Sequence, residues 1–151
     1  MSIIKVEYAV SGNRYHIAQA LDELAKREVL SFDTETKGVY SKAERKEAFD
    51  YLKGNNLPVD SKRIALQVEA NSGLSFPSLV NVTHFIFGIS ESESVIFVCD
   101  NYRLELFIWN WIANYKGLLL VHNTLFDLKL MYHRITKFPQ KYEDTQLLAK
   151  C

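Results

Sequence analysis

Apolar and polar residues alternate from residue 3 to residue 10, with Ile4, Val6, Tyr8 and Val10 on one side. That two-residue period predicts a half-buried strand closed by the Ser11-Gly12-Asn13 turn. The period then changes. Ile17, Leu21, Leu24 and Ala25 recur at helical spacing between about Arg14 and Arg27, and Val29 to Phe32 form a short apolar run, a strand that stops at the polar stretch Thr34 to Gly38. Tyr40 to Lys53 has helix-forming composition, with Gly54 as its stop and Asn55, Asn56 and Pro58 as loop. Ile64 to Val68 reads as another strand, whereas Asn71 to Asn81 shows no regular period. Thr83 to Ile89 and Val95 to Cys99 are β-rich runs joined by the polar linker Ser90 to Ser94, a hairpin. Leu104, Phe107, Ile108, Trp111 and Ile112 make the strongest helical stripe of the chain, and its reading is core packing. Gly117 opens a strand over Leu118 to Val121, and Thr124 starts a helix through Arg134 that offers Leu125, Leu128, Met131 and Tyr132 for packing. Asp144 to Lys150 reads as the first turns of a last helix.

Length and composition narrow the class. A chain of 151 residues with 48% hydrophobic and 24% charged residues is expected to form one globular domain, residues 1–151. No apolar run approaches the roughly 20 residues that cross a bilayer, and the N-terminus lacks the pattern of a signal peptide, so an intracellular protein with no membrane partner is expected. Cys99 and Cys151 show no metal or disulfide spacing. The formal charge of zero excludes a polycation that binds nucleic acid by net charge alone. Between Lys37 and Arg63, seven basic residues face four acidic ones, a modest basic patch that reads either as a guide for phosphates or as a solvated helix face.

Two clusters could do chemistry. Asp33 and Glu35 lie two apart at a strand end, so in extended backbone their carboxylates leave one face and converge. Such a pair repels itself unless a cation intervenes, and hard oxygen ligands suit Mg²⁺ or Mn²⁺. The same SFDTETKG segment also reads as a polar turn. The second cluster, His122-Asn123-Thr124-Leu125-Phe126-Asp127, again follows an apolar strand and opens a helix. Thr124 with Asp127 three residues on is a capping-box pattern, so Asp127 reads either as a structural cap or as a third acid. Together the clusters put three carboxylates at the ends of two apolar strands that could be neighbours in one sheet.

With these residues in place, the sequence resembles the DEDD superfamily of 3′-to-5′ exonucleases, and most closely the proofreading domain of family A DNA polymerases. SFDTETKG is similar to the first motif, HNTLFD to the second, Asn-x-x-Phe-Asp, and EDTQLLAKC to the Asp-Thr-x-x-Leu segment that follows it. The resemblance implies an α/β, RNase H-like mixed sheet of about five strands flanked by helices, with an inserted helix and loop at about 38–82. It implies two Mg²⁺ or Mn²⁺ ions, with Asp33 bridging both, Glu35 holding the first and Asp127 holding the second directly or through water. Asn123, with Thr34, Thr36 and Phe126, would touch the substrate. The implied partners are a single-stranded 3′ end of DNA, with RNA as an option, and a polymerase domain in the same or an associated chain. The implied setting is the cytoplasm of a bacterium or of a virus-infected host cell.

The chain departs from this family at one point. Members carry a third motif, Tyr-x-x-x-Asp or His-x-x-x-x-Asp, which supplies the fourth carboxylate and the group that orients the attacking water. No tyrosine here has an aspartate four positions on, and the His-x-x-x-x-Asp match is His122 with Asp127, which already serves the second motif. The expectation is a chain truncated before the third motif and inactive by itself. Asp144 could substitute as a ligand, though Glu143-Asp144-Thr145 reads more simply as the cap of the last helix. Two rival functions stay open. One is a non-catalytic nucleic-acid- or protein-binding module, and the other a free-standing RNA-trimming exonuclease, whose second strand Ile64 to Val68 resembles.

Overall fold

A computed structural model describes residues 6–10, 14–72, 79–122 and 124–145. Its elements run β1 (Val6–Val10), α1 (Arg14–Ala25), β2 (Val29–Gly38), α2 (Lys42–Gly54), α3 (Ser61–Ser72), β3 (Val80–Gly88), β4 (Glu93–Val98), α4 (Tyr102–Asn114), β5 (Leu118–Val121), α5 (Thr124–Ile135) and β6 (Tyr142–Asp144). The strands form one mixed sheet in the order β1-β4-β3-β2-β5-β6. β3 and β4 are the expected antiparallel hairpin, while β1 joins β4, β5 joins β2 and β6 joins β5 in parallel. Parallel neighbours need crossovers, and α4 with α5 supply two of them, so the α/β class follows from the connections.

Chain segments 1–35 and 83–151 make up one compact unit, and residues 36–82 a second. In the first, Phe32 sits among aromatic rings, with centroids 5.3 Å from Phe87, 5.8 Å from Trp109 and 6.3 Å from Phe85. These rings bury 150–250 Å² each by the usual measure, so they dominate the local packing and hold the strand that leads into Asp33. Ile17, Leu21 and Leu24 of α1 are buried as their spacing predicts. The second unit has its own small core, in which Ala48 and Leu52 of α2 meet Ile64 and Val68 of α3, with Leu79 and Tyr40 against them.

Several expectations change. Ile64 to Val68 is helical, because Ile64, Ala65 and Val68 bury one stripe of α3 and Asp60 caps its start by accepting the Arg63 N–H at 2.8 Å. The helix α2 stops at Gly54 as expected, with Asn55 as its C-cap and Asn56, φ 55°, turning the chain so that the Leu57 N–H closes on the Leu52 carbonyl at 2.9 Å. β2 runs four residues past Thr34, to Gly38. Asp144 ends a strand, β6, paired beside Val121 at the sheet edge, and Thr145 directly after it is helical, one residue later than expected. Residues 146–151 lie outside the described residues, as does the rest of that expected helix.

Two helical stripes are also rotated. In α4 the fully buried ring is Trp109, and Leu104, Glu105, Ile108, Trp109, Ile112 and Ala113 form the inner face. In α5 the inner face is Phe126, Asp127, Leu128, Leu130 and Met131, whereas Leu125 is 85% exposed and Tyr132 lies outside the core. The buried acid Glu105 links the two helices. It accepts a hydrogen bond from Arg134 Nε at 2.5 Å, and both side chains are almost wholly enclosed, so α4 and α5 are joined by an internal ion pair.

Candidate active site

The geometry starts from register. β2 and β5 are parallel, and their pairing ends at Phe32 beside Val121, so Asp33 and His122 follow side by side, where β5 ends and β2 continues unpaired with it to Gly38. β6 ends level with them, Val121 beside Asp144. The carboxyl ends of neighbouring parallel strands are where α/β sheets place ligands, since the loops there are free to diverge. Both acidic clusters read from the sequence therefore meet at one sheet edge.

Along β2 burial alternates. Leu30, Phe32, Thr34 and Thr36 are buried, while Ser31, Glu35 and Lys37 are exposed and Asp33 is half-buried. Asp33 and Glu35 thus share one face, as their spacing predicts, and Thr34 must occupy the other. The Asp33 carboxylate accepts the Thr34 N–H at 2.9 Å, which orients it against its own backbone. Glu35 stands at the solvent side, and its carbonyl accepts the Thr83 hydroxyl at 3.1 Å.

Asp127 goes elsewhere than its neighbours in the motif. It is wholly buried, and its Oδ1 accepts the Thr34 hydroxyl at 2.5 Å. Thr124, its expected capping-box partner, donates its hydroxyl to Asp144 Oδ2 at 2.5 Å, and the Thr124 N–H points to the same oxygen at 3.4 Å. Asp144 therefore caps α5, acting from an adjacent strand. His122 Nδ1 lies 2.9 Å from Thr145 Oγ1, a second link between the ends of β5 and β6. Sequence reasoning missed both links and the Thr34 link, because each joins residues distant in the chain.

The remaining site candidates divide. Thr34 and Phe126 are buried, Thr36 is nearly so, and Asn123 lies outside the described residues. Among the described residues, no group of three or more acids, histidines or cysteines is arranged to hold a metal ion. The donor chemistry fits a smaller demand. Asp33 and Glu35 offer hard oxygens on one face of a strand end, and Mg²⁺ is commonly held by one or two carboxylates with water and substrate oxygens completing its shell. Asp127 turns one carboxylate oxygen, Oδ1, to the Thr34 hydroxyl.

Neither a protein-family model nor a curated protein sequence matches the chain. Among solved structures it is similar to the EXO domain of Nibbler from Aedes aegypti, with 14% identity and a TM-score of 0.55 over 95% of this chain and 55% of that one. It is also similar to Escherichia coli RNase D, an exoribonuclease involved in structured RNA processing, with 12% identity and a TM-score of 0.51 over 97% of this chain and 28% of that one. The chain spans a little over half of the first structure and little more than a quarter of the second. At these identities the likeness is one of fold, and the fold is that of an RNase H-like exonuclease domain.

Proposed function

We propose that this domain belongs to a metal-dependent 3′-to-5′ exonuclease that removes nucleotides from the end of a single strand. The observation that carries the reading is the register of β2 and β5, which delivers Asp33-Thr34-Glu35 and the His122 to Asp127 segment to one sheet edge. In this reading Asp33 and Glu35 hold a divalent ion. Bound there, the ion would lower the pKa of a water and offset charge on the departing 3′ oxygen.

The chain's own residues supply the frame for that chemistry. Phe32, held by three aromatic neighbours, fixes where β2 parts from β5 and so where Asp33 stands. Thr34 ties the buried Asp127, and with it the first turn of α5, to the strand between the two acids. Asp144 pins the same helix from the other side through Thr124. A helix start held from two strands orients whatever its preceding loop presents to a strand end, at little entropic cost on binding.

The substrate divides into two classes. Likeness to RNase D, an exoribonuclease, favours RNA 3′ ends as the first to be tested. The first motif's resemblance to polymerase proofreading domains keeps single-stranded DNA as the second. Among the described residues no helix is long and apolar enough to cross a membrane, and the reading places the protein with nucleic acid in the cytoplasm.

The test is digestion of 5′-labelled RNA and DNA 20-mers by the full-length protein with MgCl₂ or MnCl₂. Stepwise shortening from the 3′ end is expected, at least 100-fold slower in Asp33→Ala while the circular dichroism spectrum is unchanged. Undiminished digestion by Asp33→Ala would exclude Asp33 as a ligand. Absence of any 3′ shortening on both substrates would exclude the exonuclease reading altogether.

A further inference from the structure

The unit formed by residues 36–82 contains a cavity of about 310 Å³ that the strand-end acids do not enter. Its wall carries three cations, Lys37, Lys42 and Arg45, and no acidic side chain. Thr36, Tyr40 and Ser61 add hydroxyl groups. Tyr40 closes over Gly38, where a Cβ would stand 1.8 Å from a ring carbon, so only glycine permits this wall.

Two further features concern hydrogen-bond supply. The cavity lies at the start of α2, where Ser41 is the N-cap. The Glu44 N–H donates to Ser41 Oγ at 3.2 Å, and the Ser41 hydroxyl donates to Glu44 Oε1 at 3.0 Å. That capping box uses the acid of the first turn, while the positive end of the helix dipole stays directed at the cavity. Independently, Thr36 is only 8% exposed and its Oγ1 has no hydrogen-bond partner among the described residues. A buried hydroxyl left unmatched costs about 1–3 kcal/mol, and this one belongs to a residue of the cavity wall.

We infer that this cavity binds a phosphate group, either of a nucleotide strand or of free inorganic phosphate. A phosphate presents several acceptor oxygens and up to two negative charges, which match a wall of cations and hydroxyl donors. Burial raises the Tyr40 phenol above its ordinary pKa, with nearby Arg45 acting the other way, so at neutral pH the phenol is a donor. Arg45 can grip two oxygens at once, whereas Lys37 and Lys42 act as mobile point charges. The site does not depend on whether Asp33 and Glu35 cleave anything, and it differs from them in chemistry, since it needs no metal.

The experiment is calorimetric titration of the full chain in EDTA, with inorganic phosphate, a 5′-phosphorylated dinucleotide and the same dinucleotide without its 5′ phosphate, at constant ionic strength. Saturable binding of phosphate is expected, weakened at least tenfold by Arg45→Gln and severalfold by Thr36→Val; Arg45 is exposed, so its variant should keep the wild-type circular dichroism spectrum. Thr36→Val should leave the free protein as stable as wild type or more so, because it removes an unpartnered hydroxyl. Binding of the phosphorylated dinucleotide tenfold more tightly than phosphate identifies a strand as the occupant, and equal binding identifies free phosphate. The inference is overturned if phosphate binds no better than chloride, if Arg45→Gln binds as wild type does, or if Thr36→Val gains stability with its phosphate affinity unchanged. Chelation of metals lets this site and the nuclease reading fail separately.

Discussion

Replacing Thr34 by valine keeps the shape of a wholly buried side chain and removes one proton donor. Its hydroxyl donates to Asp127 Oδ1 at 2.5 Å, and both residues are fully enclosed. A hydrogen bond to a carboxylate contributes about 1.5–3 kcal/mol, and the carboxylate left behind is wholly buried. Valine opens no cavity, so the loss should be electrostatic alone, about 2 kcal/mol. For a chain of this length that lowers Tm by about 4–8 °C. Thr34→Ser keeps the hydroxyl and loses one methyl group, a cost of about 1 kcal/mol. Urea unfolding followed by tryptophan fluorescence measures all three, with an unchanged m-value as the sign that the folded state is intact. The decisive comparison repeats Thr34→Val in an Asp127→Ala background, where its cost should fall by about 1–2 kcal/mol because the partner is gone. If Thr34→Val lies within 0.5 kcal/mol of wild type, or costs the same in both backgrounds, the bond does not anchor α5 and the account of Asp127 as a frame residue fails.

Glu105→Ala should be among the most damaging single changes, about 3–5 kcal/mol by denaturant unfolding, because it leaves the buried Arg134 guanidinium without its carboxylate. Thr136 has φ 57°, a conformation that β-branched residues adopt at a cost, so Thr136→Asn should raise stability by about 1 kcal/mol in the same assay. Burial pushes the Cys99 thiol up to about 11, opposed by a backbone hydrogen bond from Asn101. In the unfolded chain that thiol ionises nearer 9.0, so stability is fully present below about pH 9 and is lost as pH rises toward 11, by about 1.4 kcal/mol per unit. Cys99→Ala should lack this contribution, and the difference between the two unfolding curves across pH 8–11 isolates it from the tyrosines.

Much of the fold was legible because local pattern and tertiary demand agreed. The alternating runs became strands and the hairpin of β3 and β4 formed as read, since each needed only its own period and turn. The pattern misled where a side chain's partner lay far away. Glu105 and Trp109 look like polar and off-stripe positions of α4, yet both point inward, Glu105 to its ion pair with Arg134. Ile64 to Val68 was short enough to satisfy either period, and only the small core of residues 36–82, which needs Ile64 and Val68 on one helical stripe, decides between them.

The site was legible to the same extent and for a related reason. Strand period alone put Asp33 and Glu35 on one face, and parallel pairing brought the His122 to Asp127 segment beside them. What no spacing could show was the division of labour among the acids. Asp127 meets Thr34 across 93 residues of sequence, and Asp144 meets Thr124 across 20, so neither contact leaves a local trace. Yet the first of these follows once the strand is accepted as a strand. The period that sends residues 33 and 35 toward a shared cation necessarily sends residue 34 into the interior, where a threonine hydroxyl needs an acceptor. Asp127 is that acceptor, and so the tripeptide both presents two carboxylates outward and holds the third from within.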